Sequence, residues 1–198
     1  MILADIVVQL TDMNYMKKPA LFILVSLSIA ASMFCKKSTS SNVEPPAGPV
    51  EIKDSVITGN LSHPWEILWG PDNFIWITER GGKITRLNPA TGAKAAVITI
   101  TEVEANGEGG LLGMVLHPNF STTPQVFVTY NYDGGSGYRE KVVRYTYNGS
   151  TLINPFTVID NIGASDIHNG SRLVISPDLK LFISTGDAAD PATAQNVS

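Results

Sequence analysis

The sequence is poor in cysteine, in charged residues and in long apolar runs. Its 198 residues include one cysteine, Cys35, which excludes a disulfide framework and a cysteine-rich zinc site. Lysine and arginine number 14 against 18 aspartates and glutamates, so the formal net charge of −4 offers no basic surface to nucleic acid. The longest apolar run, residues 20–34, is shorter than the ~20 residues that span a membrane as a helix. The hydrophobic fraction of 43% nevertheless excludes a wholly disordered chain.

The first 35 residues predict a signal for export. Lys17 and Lys18 precede the apolar run, and the run ends at Cys35, which is typical of a secretory signal. A cysteine at this place, followed by serines, resembles a bacterial lipoprotein signal, in which the cysteine is lipidated and becomes the mature N-terminus. Two alternatives stay open, an uncleaved signal anchor and ordinary cleavage near residues 30–31. Met16 is an alternative start of the chain.

The same region also predicts a tether and a cellular location. Residues 36–50 are rich in proline, serine, asparagine and glycine, and this composition predicts a disordered tether that cannot bury a core. We therefore expect the protein to be exported and lipid-anchored to a bacterial membrane, on the periplasmic side or at the cell surface.

From residue 51 onward the sequence consists of short apolar runs separated by turn residues. Runs rich in β-branched and aromatic residues alternate with glycine, asparagine, aspartate and proline, which is typical of antiparallel strands. One sequence pattern occurs three times. It consists of an apolar run, a turn at Pro71, Pro118 or Pro177, and a second apolar run. The spacing of roughly 50 residues is typical of the blades of a β-propeller. A β-sandwich with coincidentally similar turns is the alternative.

The sequence thus predicts an all-β propeller with about three blades in residues 51–198. Three blades do not close a ring, because propellers have roughly four to eight. We therefore expect the chain to be a truncated, N-terminal part of a longer protein.

His168 and Asp187 are the candidate catalytic pair. Residues 172–175 and 181–185 would form two antiparallel strands joined by the turn at Pro177. These strands would bring His168 and Asp187 to the same rim of the sheet. A carboxylate next to an imidazole holds its tautomer and raises its basicity, as a general base requires. The spacing alone leaves open that His168 is a structural histidine and Asp187 a surface aspartate.

Two further patterns have alternative interpretations. Residues 108–113 place three glycines around two leucines, which indicates close backbone packing, close approach of a ligand, or a loop that enters a buried strand. The segment lacks the Lys-Ser/Thr ending of a phosphate loop. We predict that Trp65, Trp69 and Trp76 lie in the core of the blades, with a sugar platform as the alternative for Trp65.

Three blocks resemble the glucose/sorbosone dehydrogenase family. They are residues 107–120 (GEGGLLGMVLHPNF), 168–178 (HNGSRLVISPD) and 184–187 (STGD), and a block around residues 64–84 is similar as well. The resemblance covers roughly residues 56–198 in the family's order. The family contains soluble quinoprotein aldose dehydrogenases, six-bladed β-propellers that use pyrroloquinoline quinone (PQQ). This implies that residues 51–198 form the N-terminal half of such a domain.

The resemblance also implies roles for single residues. His168 matches the base that takes the proton of the sugar's anomeric hydroxyl while hydride passes to the quinone, and Asp187 matches the aspartate that supports it. Glu108 stands where the family commonly has a sugar-contacting glutamine, which leaves the substrate preference open. Asn169 and Arg172 match the block as residues of the substrate or cofactor site, in its wall or its framework. The ligands of Ca²⁺ and of the quinone carboxylates are expected beyond residue 198, so no metal ligand is predicted here.

The predicted function is PQQ-dependent oxidation of an aldose at C1 to the lactone, by a quinoprotein aldose or glucose dehydrogenase that passes electrons to an external acceptor. We expect the fragment to be inactive alone. The alternative is a propeller of the same lineage that binds a sugar or a protein without catalysis.

Overall fold

The protein is built almost entirely from antiparallel β-sheet. The computed structural model describes residues 5–9 and 53–195, and its strands form three sheets. Within these ranges the single helix is a short 3-10 helix, Pro191–Gln195. None of the described segments is a helix long and apolar enough to cross a membrane.

Two sheets are complete four-stranded meanders, in which each strand pairs with the next along the chain. Blade 1 consists of β2 (Pro64–Trp69), β3 (Ile75–Glu79), β4 (Lys83–Leu87) and β5 (Lys94–Thr99). Blade 2 consists of β6 (Leu111–Leu116), β7 (Gln125–Asp133), β8 (Tyr138–Tyr147) and β9 (Leu152–Gly163).

The third sheet, blade 3, has three strands in the order β1, β11, β10. Strands β10 (Gly170–Ile175) and β11 (Lys180–Thr185) form a hairpin, and β1 (Asp5–Gln9) pairs antiparallel with the other edge of β11. The segment of β1 lies within residues 1–35, where the sequence predicts a signal region and no part of the fold. The apolar run, Cys35 and the tether fall in residues 10–52, outside the described residues, so these interpretations stay predictions.

The three repeats predicted from the prolines are the first hairpins of the three blades. The turns at Pro71, Pro118 and Pro177 connect β2 to β3, β6 to β7 and β10 to β11. In the first turn, the Asp72 carboxylate accepts hydrogen bonds from the indole N–H of Trp76 at 3.2 Å and from Nε of Arg86 at 2.9 Å. Asp72 thus fastens the first turn to the two strands that follow it, β3 and β4.

The first strands of the blades lie side by side, with β6 between β2 and β10. Meanders of four antiparallel strands whose first strands are neighbours are the blades of a β-propeller. The predicted all-β propeller fold is therefore confirmed, and the sheets of this chain do not close into a ring.

Two apolar clusters join the blades. Trp76 of blade 1 is fully buried against Phe120 and Tyr147 of blade 2, with ring centroids 5.7 and 5.0 Å away in edge-to-face geometry. The second cluster lies between blades 2 and 3 and contains Phe127, Val142, Leu173, Leu181 and Ile183.

The prediction that all three tryptophans lie in the core is wrong for Trp69. Its side chain is 64% exposed, on the opposite side of β2 from Leu68, which packs against the cluster between blades 1 and 2. Trp65 is half-buried at the start of the same strand. Only Trp76 lies in the core, because its side of β3 faces blade 2.

Candidate active site

A tight loop before β10 carries His168. The Asn169 side chain closes this loop, because its Oδ1 accepts a hydrogen bond from the backbone N–H of Ser165 and its Nδ2 donates to the carbonyl of the same residue, both at 2.9 Å. Asn169 is buried. Its bonds give it a framework role within the loop.

The hairpin of blade 3 brings His168 and Asp187 together. The chain leaves the loop through β10, returns through β11, and places His168 Nδ1 3.0 Å from Asp187 Oδ1. The backbone fastens the two segments, since Gly186 N–H donates to the Asn169 carbonyl and Ala188 N–H donates to the His168 carbonyl. The imidazole is 56% exposed and the carboxylate 22%. Reactants in solution can therefore reach the imidazole, whereas the Asp187 carboxylate is more buried.

This pairing specifies how the imidazole can act. An ionised carboxylate only accepts hydrogen bonds, so Nδ1 carries the proton in the neutral ring and Nε2 is left with its lone pair. Asp187 is itself oriented, because its Oδ1 also accepts the backbone N–H of Ala189 at 3.1 Å. A histidine held in one tautomer by an oriented carboxylate is the arrangement of a general base.

Glu108 contacts the same loop from blade 2. Its Oε2 accepts a hydrogen bond from the backbone N–H of His168 at 3.1 Å, and its own N–H donates to the carbonyl of Asp166 at 2.6 Å. The glycine-rich segment and the His168 loop are therefore bound to each other. Glu108 is exposed, so solvent can reach the carboxylate that binds the backbone of His168.

The glycine-rich segment is a loop that enters a buried strand and packs closely against its neighbours. A Cβ on Gly113 would lie 1.9 Å from the carbonyl oxygen of Ser171, so β6 and the start of β10 approach each other where no side chain fits. The interpretation as a loop entering a buried strand is confirmed, and the segment also holds Glu108 against His168.

Arg172 is directed toward blade 1. Its Nη1 donates to both carboxylate oxygens of Glu66, at 2.8 and 2.7 Å, and its guanidinium lies over the ring of Trp65, 4.4 Å from the centroid. This contact covers one face of Trp65, the residue considered as a sugar platform. The structure does not join Arg172 to the pair of His168 and Asp187, and it links β10 to β2 instead.

Sequence reasoning missed two buried carboxylates next to the site. Glu66 is the partner of Arg172, and Glu140 on β8 accepts hydrogen bonds from the hydroxyls of Ser171 at 2.8 Å and Thr129 at 2.9 Å. Glu140 stands between Arg139 and Lys141 in the sequence and reads as part of a solvated charged face. Neither residue has a local signal of its burial, since their partners come from other strands.

The described residues offer no ready metal centre. Between residues 53 and 195 no three histidine, cysteine, aspartate or glutamate side chains are grouped so that they could hold a metal ion. The expectation that calcium ligands lie beyond residue 198 stays a prediction.

The chain is similar to a known protein family and to one of its characterised members. The pattern of the family described as Glucose / Sorbosone dehydrogenase matches residues 61–198. Quinoprotein glucose dehydrogenase B from Acinetobacter calcoaceticus is 38% identical over 143 residues, which are 67% of this chain and 30% of that protein. The chain thus spans less than half the length of this relative.

Solved structures of similar proteins have the same architecture. The soluble aldose sugar dehydrogenase of Escherichia coli in its apo form matches with a TM-score of 0.65 at 29% identity, over 72% of this chain and 43% of that one. The PQQ-bound aldose sugar dehydrogenase from Streptomyces coelicolor matches with a TM-score of 0.62 at 29% identity, again over 72% and 43% of the two chains. With a family pattern that matches most of its length, this chain belongs to the glucose/sorbosone dehydrogenase family.

Proposed function

We propose that the protein to which this chain belongs is a PQQ-dependent dehydrogenase that oxidises an aldose at C1 to the lactone. The observation that carries the proposal is the contact of His168 with Asp187 at an exposed rim, inside the region that matches the family. The name of the Acinetobacter relative and the PQQ-bound Streptomyces structure support the class of reaction and of cofactor.

His168 acts as the base in this proposal. Nε2 takes the proton of the C1 hydroxyl as C1 loses a hydride, and the C1–O bond becomes the carbonyl of the lactone. Asp187 holds the proton on Nδ1 and stabilises the imidazolium that forms. Glu108 lies against the backbone of His168 and is available for a sugar hydroxyl. PQQ, when bound, supplies the acceptor of the hydride.

The exposed rim of blade 3 that carries His168 and Asp187 would form one side of the site for PQQ and the sugar. It presents an oriented base and a carboxylate, Asn169 closes the loop that carries the base, and Arg172 links the following strand to blade 1. We assign the cations that would bind the quinone carboxylates, and the ligands of Ca²⁺, to sequence beyond residue 198. The fragment alone is then inactive.

The remaining parts of the proposal concern the protein's setting. An external electron acceptor reoxidises the cofactor, and a lipid on Cys35 anchors the protein to a bacterial membrane on its periplasmic or outer side. Labelling cells with a fatty-acid analogue tests this anchor, since wild-type protein would carry the label and a Cys35→Ala variant would not.

The catalytic proposal is tested with full-length protein supplied with PQQ and Ca²⁺. We expect reduction of a dye on addition of glucose or another aldose, and a loss of about 10²–10⁴-fold in kcat for His168→Ala, with quinone binding retained. His63→Ala is the matched control, because His63 lies in the exposed segment before β2, and it should keep the wild-type rate. Wild-type activity of His168→Ala would remove this histidine from the mechanism.

The same experiment separates the alternative function, a propeller that binds a sugar or protein without catalysis. Sugar binding by calorimetry without turnover on any of a broad panel of aldoses would favour that alternative. It would also contradict the proposed reaction.

A further inference from the structure

Ser171 combines full burial with an unusual backbone conformation. Its φ is 69°, in the left-handed region that non-glycine residues rarely adopt, and His168 and Gly170 just before it have φ of 59° and 78°. A left-handed non-glycine residue is strained and persists only where its surroundings hold it in place. The segment from His168 to Ser171 must therefore be held by contacts outside the loop.

Two residues, Glu140 and Gly113, hold Ser171, and Thr129 holds Glu140 in turn. Its hydroxyl donates to Glu140 Oε2 at 2.8 Å, and the other oxygen, Oε1, accepts the hydroxyl of Thr129 at 2.9 Å. The Ser171 carbonyl lies against Gly113, where a Cβ would come within 1.9 Å of its oxygen. Residues of strands β6, β7 and β8 of blade 2 thus hold the start of β10 in place.

Burying the carboxylate of Glu140 between these strands costs free energy. Its side chain is fully buried, and hydroxyl groups are the hydrogen-bond partners of its carboxylate. Burial raises the pKa of Glu140 to about 7, against the two hydrogen bonds, which act to lower it. By contrast Glu79 in blade 1, also buried, has Lys83 Nζ 2.8 Å from its carboxylate. A buried carboxylate without such a cation keeps a desolvation cost, which the two hydrogen bonds of Glu140 offset only in part.

We propose that Glu140 is a positioning residue for His168. By holding the hydroxyl of Ser171, it maintains the left-handed turn from His168 to Ser171 and so sets where the imidazole stands relative to Asp187. The catalytic meaning of this placement rests on the proposed function, in which His168 is the base. The placement itself is a property of the folded chain.

The test is NMR spectroscopy of the full-length protein labelled on histidine nitrogen, with the His168 ring signals identified by their loss in His168→Gln. We expect Glu140→Ala and Ser171→Ala to shift these signals, because the ring loses its set distance to Asp187. Glu140→Gln retains the size and one acceptor, so it should keep the signals close to wild type. Glu79→Gln is the matched control, a buried carboxylate that does not contact the loop, and it should leave them unchanged.

Unchanged His168 signals in folded Glu140→Ala and Ser171→Ala would overturn the proposal, as would an equal shift in Glu79→Gln. If these alanine variants fail to fold, Ser171→Gly decides, since glycine adopts the left-handed conformation freely and removes the hydroxyl together with its Cβ. A shift in Ser171→Gly supports the proposal, and wild-type signals refute it.

Kinetics add a second readout if the full-length enzyme turns over sugar. Misplacement of the base should lower kcat by about 10–100-fold and leave KM within about twofold. An inactive wild-type protein would refute the proposed function but not the placement of His168, which the NMR spectra test without turnover.

Discussion

The first strands of the three blades occupy equivalent places and differ sharply in burial. Every residue of β6 except Val115 is buried, whereas β2 buries only Glu66 and β10 only Ser171 and Leu173. Strand β6 has a blade packed against each of its faces, whereas within the described residues β2 and β10 each have blade 2 on one side. The same local pattern of strand and turn therefore acquires a different chemical environment from its neighbours.

The largest expected effect comes from the interface between blades 1 and 2. Trp76→Ala removes a fully buried ring and its edge-to-face contacts with Phe120 and Tyr147. We expect the free energy of unfolding to fall by about 3–5 kcal/mol, measured by denaturant titration of this chain. A loss below ~1 kcal/mol would mean that the two blades do not share a core.

Glu140 and Glu79 are both buried carboxylates, and their contributions to stability should depend on pH in opposite directions. The pKa of Glu140 is raised to about 7 from an ordinary 4.5, so the native state holds the proton more tightly than the unfolded chain. Its stabilising contribution is complete below pH 4.5 and is lost as the pH rises through about 7. The Glu140→Gln variant should lack this fall, which amounts to on the order of 3 kcal/mol across the window in urea titrations at a series of pH values.

Glu79 should show the opposite sign. Burial acts to raise its pKa, but hydrogen bonds from Lys83, Thr85 and the backbone of Ser62 outweigh it, and the pKa lies below 4.5. Its contribution is present above pH 4.5 and is lost as the pH falls through the lowered pKa. Glu79→Gln should therefore flatten the acid side of the stability curve, and an effect confined to neutral pH would contradict the assignment.

Gly113→Ala tests the close contact between blades 2 and 3. The new Cβ would meet the backbone of Ser171, which cannot rotate away, so we expect a loss of about 1–3 kcal/mol in the free energy of unfolding. Gly163→Ala in β9 is the matched control, because its Cβ would meet open space. Equal stability of the two variants would show that the blades can separate there without cost.

The smallest effect is expected at Trp69. Because 64% of its surface is exposed, Trp69→Ala should change the free energy of unfolding of this chain by no more than ~0.5 kcal/mol. A loss comparable to that of Trp76→Ala, in the same titration, would mean that another surface covers this side of β2 in solution.

Much of the fold was predictable because its contacts are local. The turns at Pro71, Pro118 and Pro177 join strands that are neighbours in sequence, so the apolar runs and turn residues already indicate the hairpins. The contact of His168 with Asp187 belongs to the same class, since a single hairpin returns the chain to its starting rim. Its catalytic role still rests on the resemblance and awaits the activity test.

The local sequence sets the type and order of the strands after residue 51, the repeating hairpin and the closeness of His168 to Asp187. The burial of the side chains depends instead on the tertiary structure. Arg172 reaches Glu66 across 106 positions, Glu140 meets Ser171 from another blade, and Trp69 stays exposed although it stands in an apolar run. Burial depends on which sheets pack face to face, and residues from distant parts of the chain determine that packing.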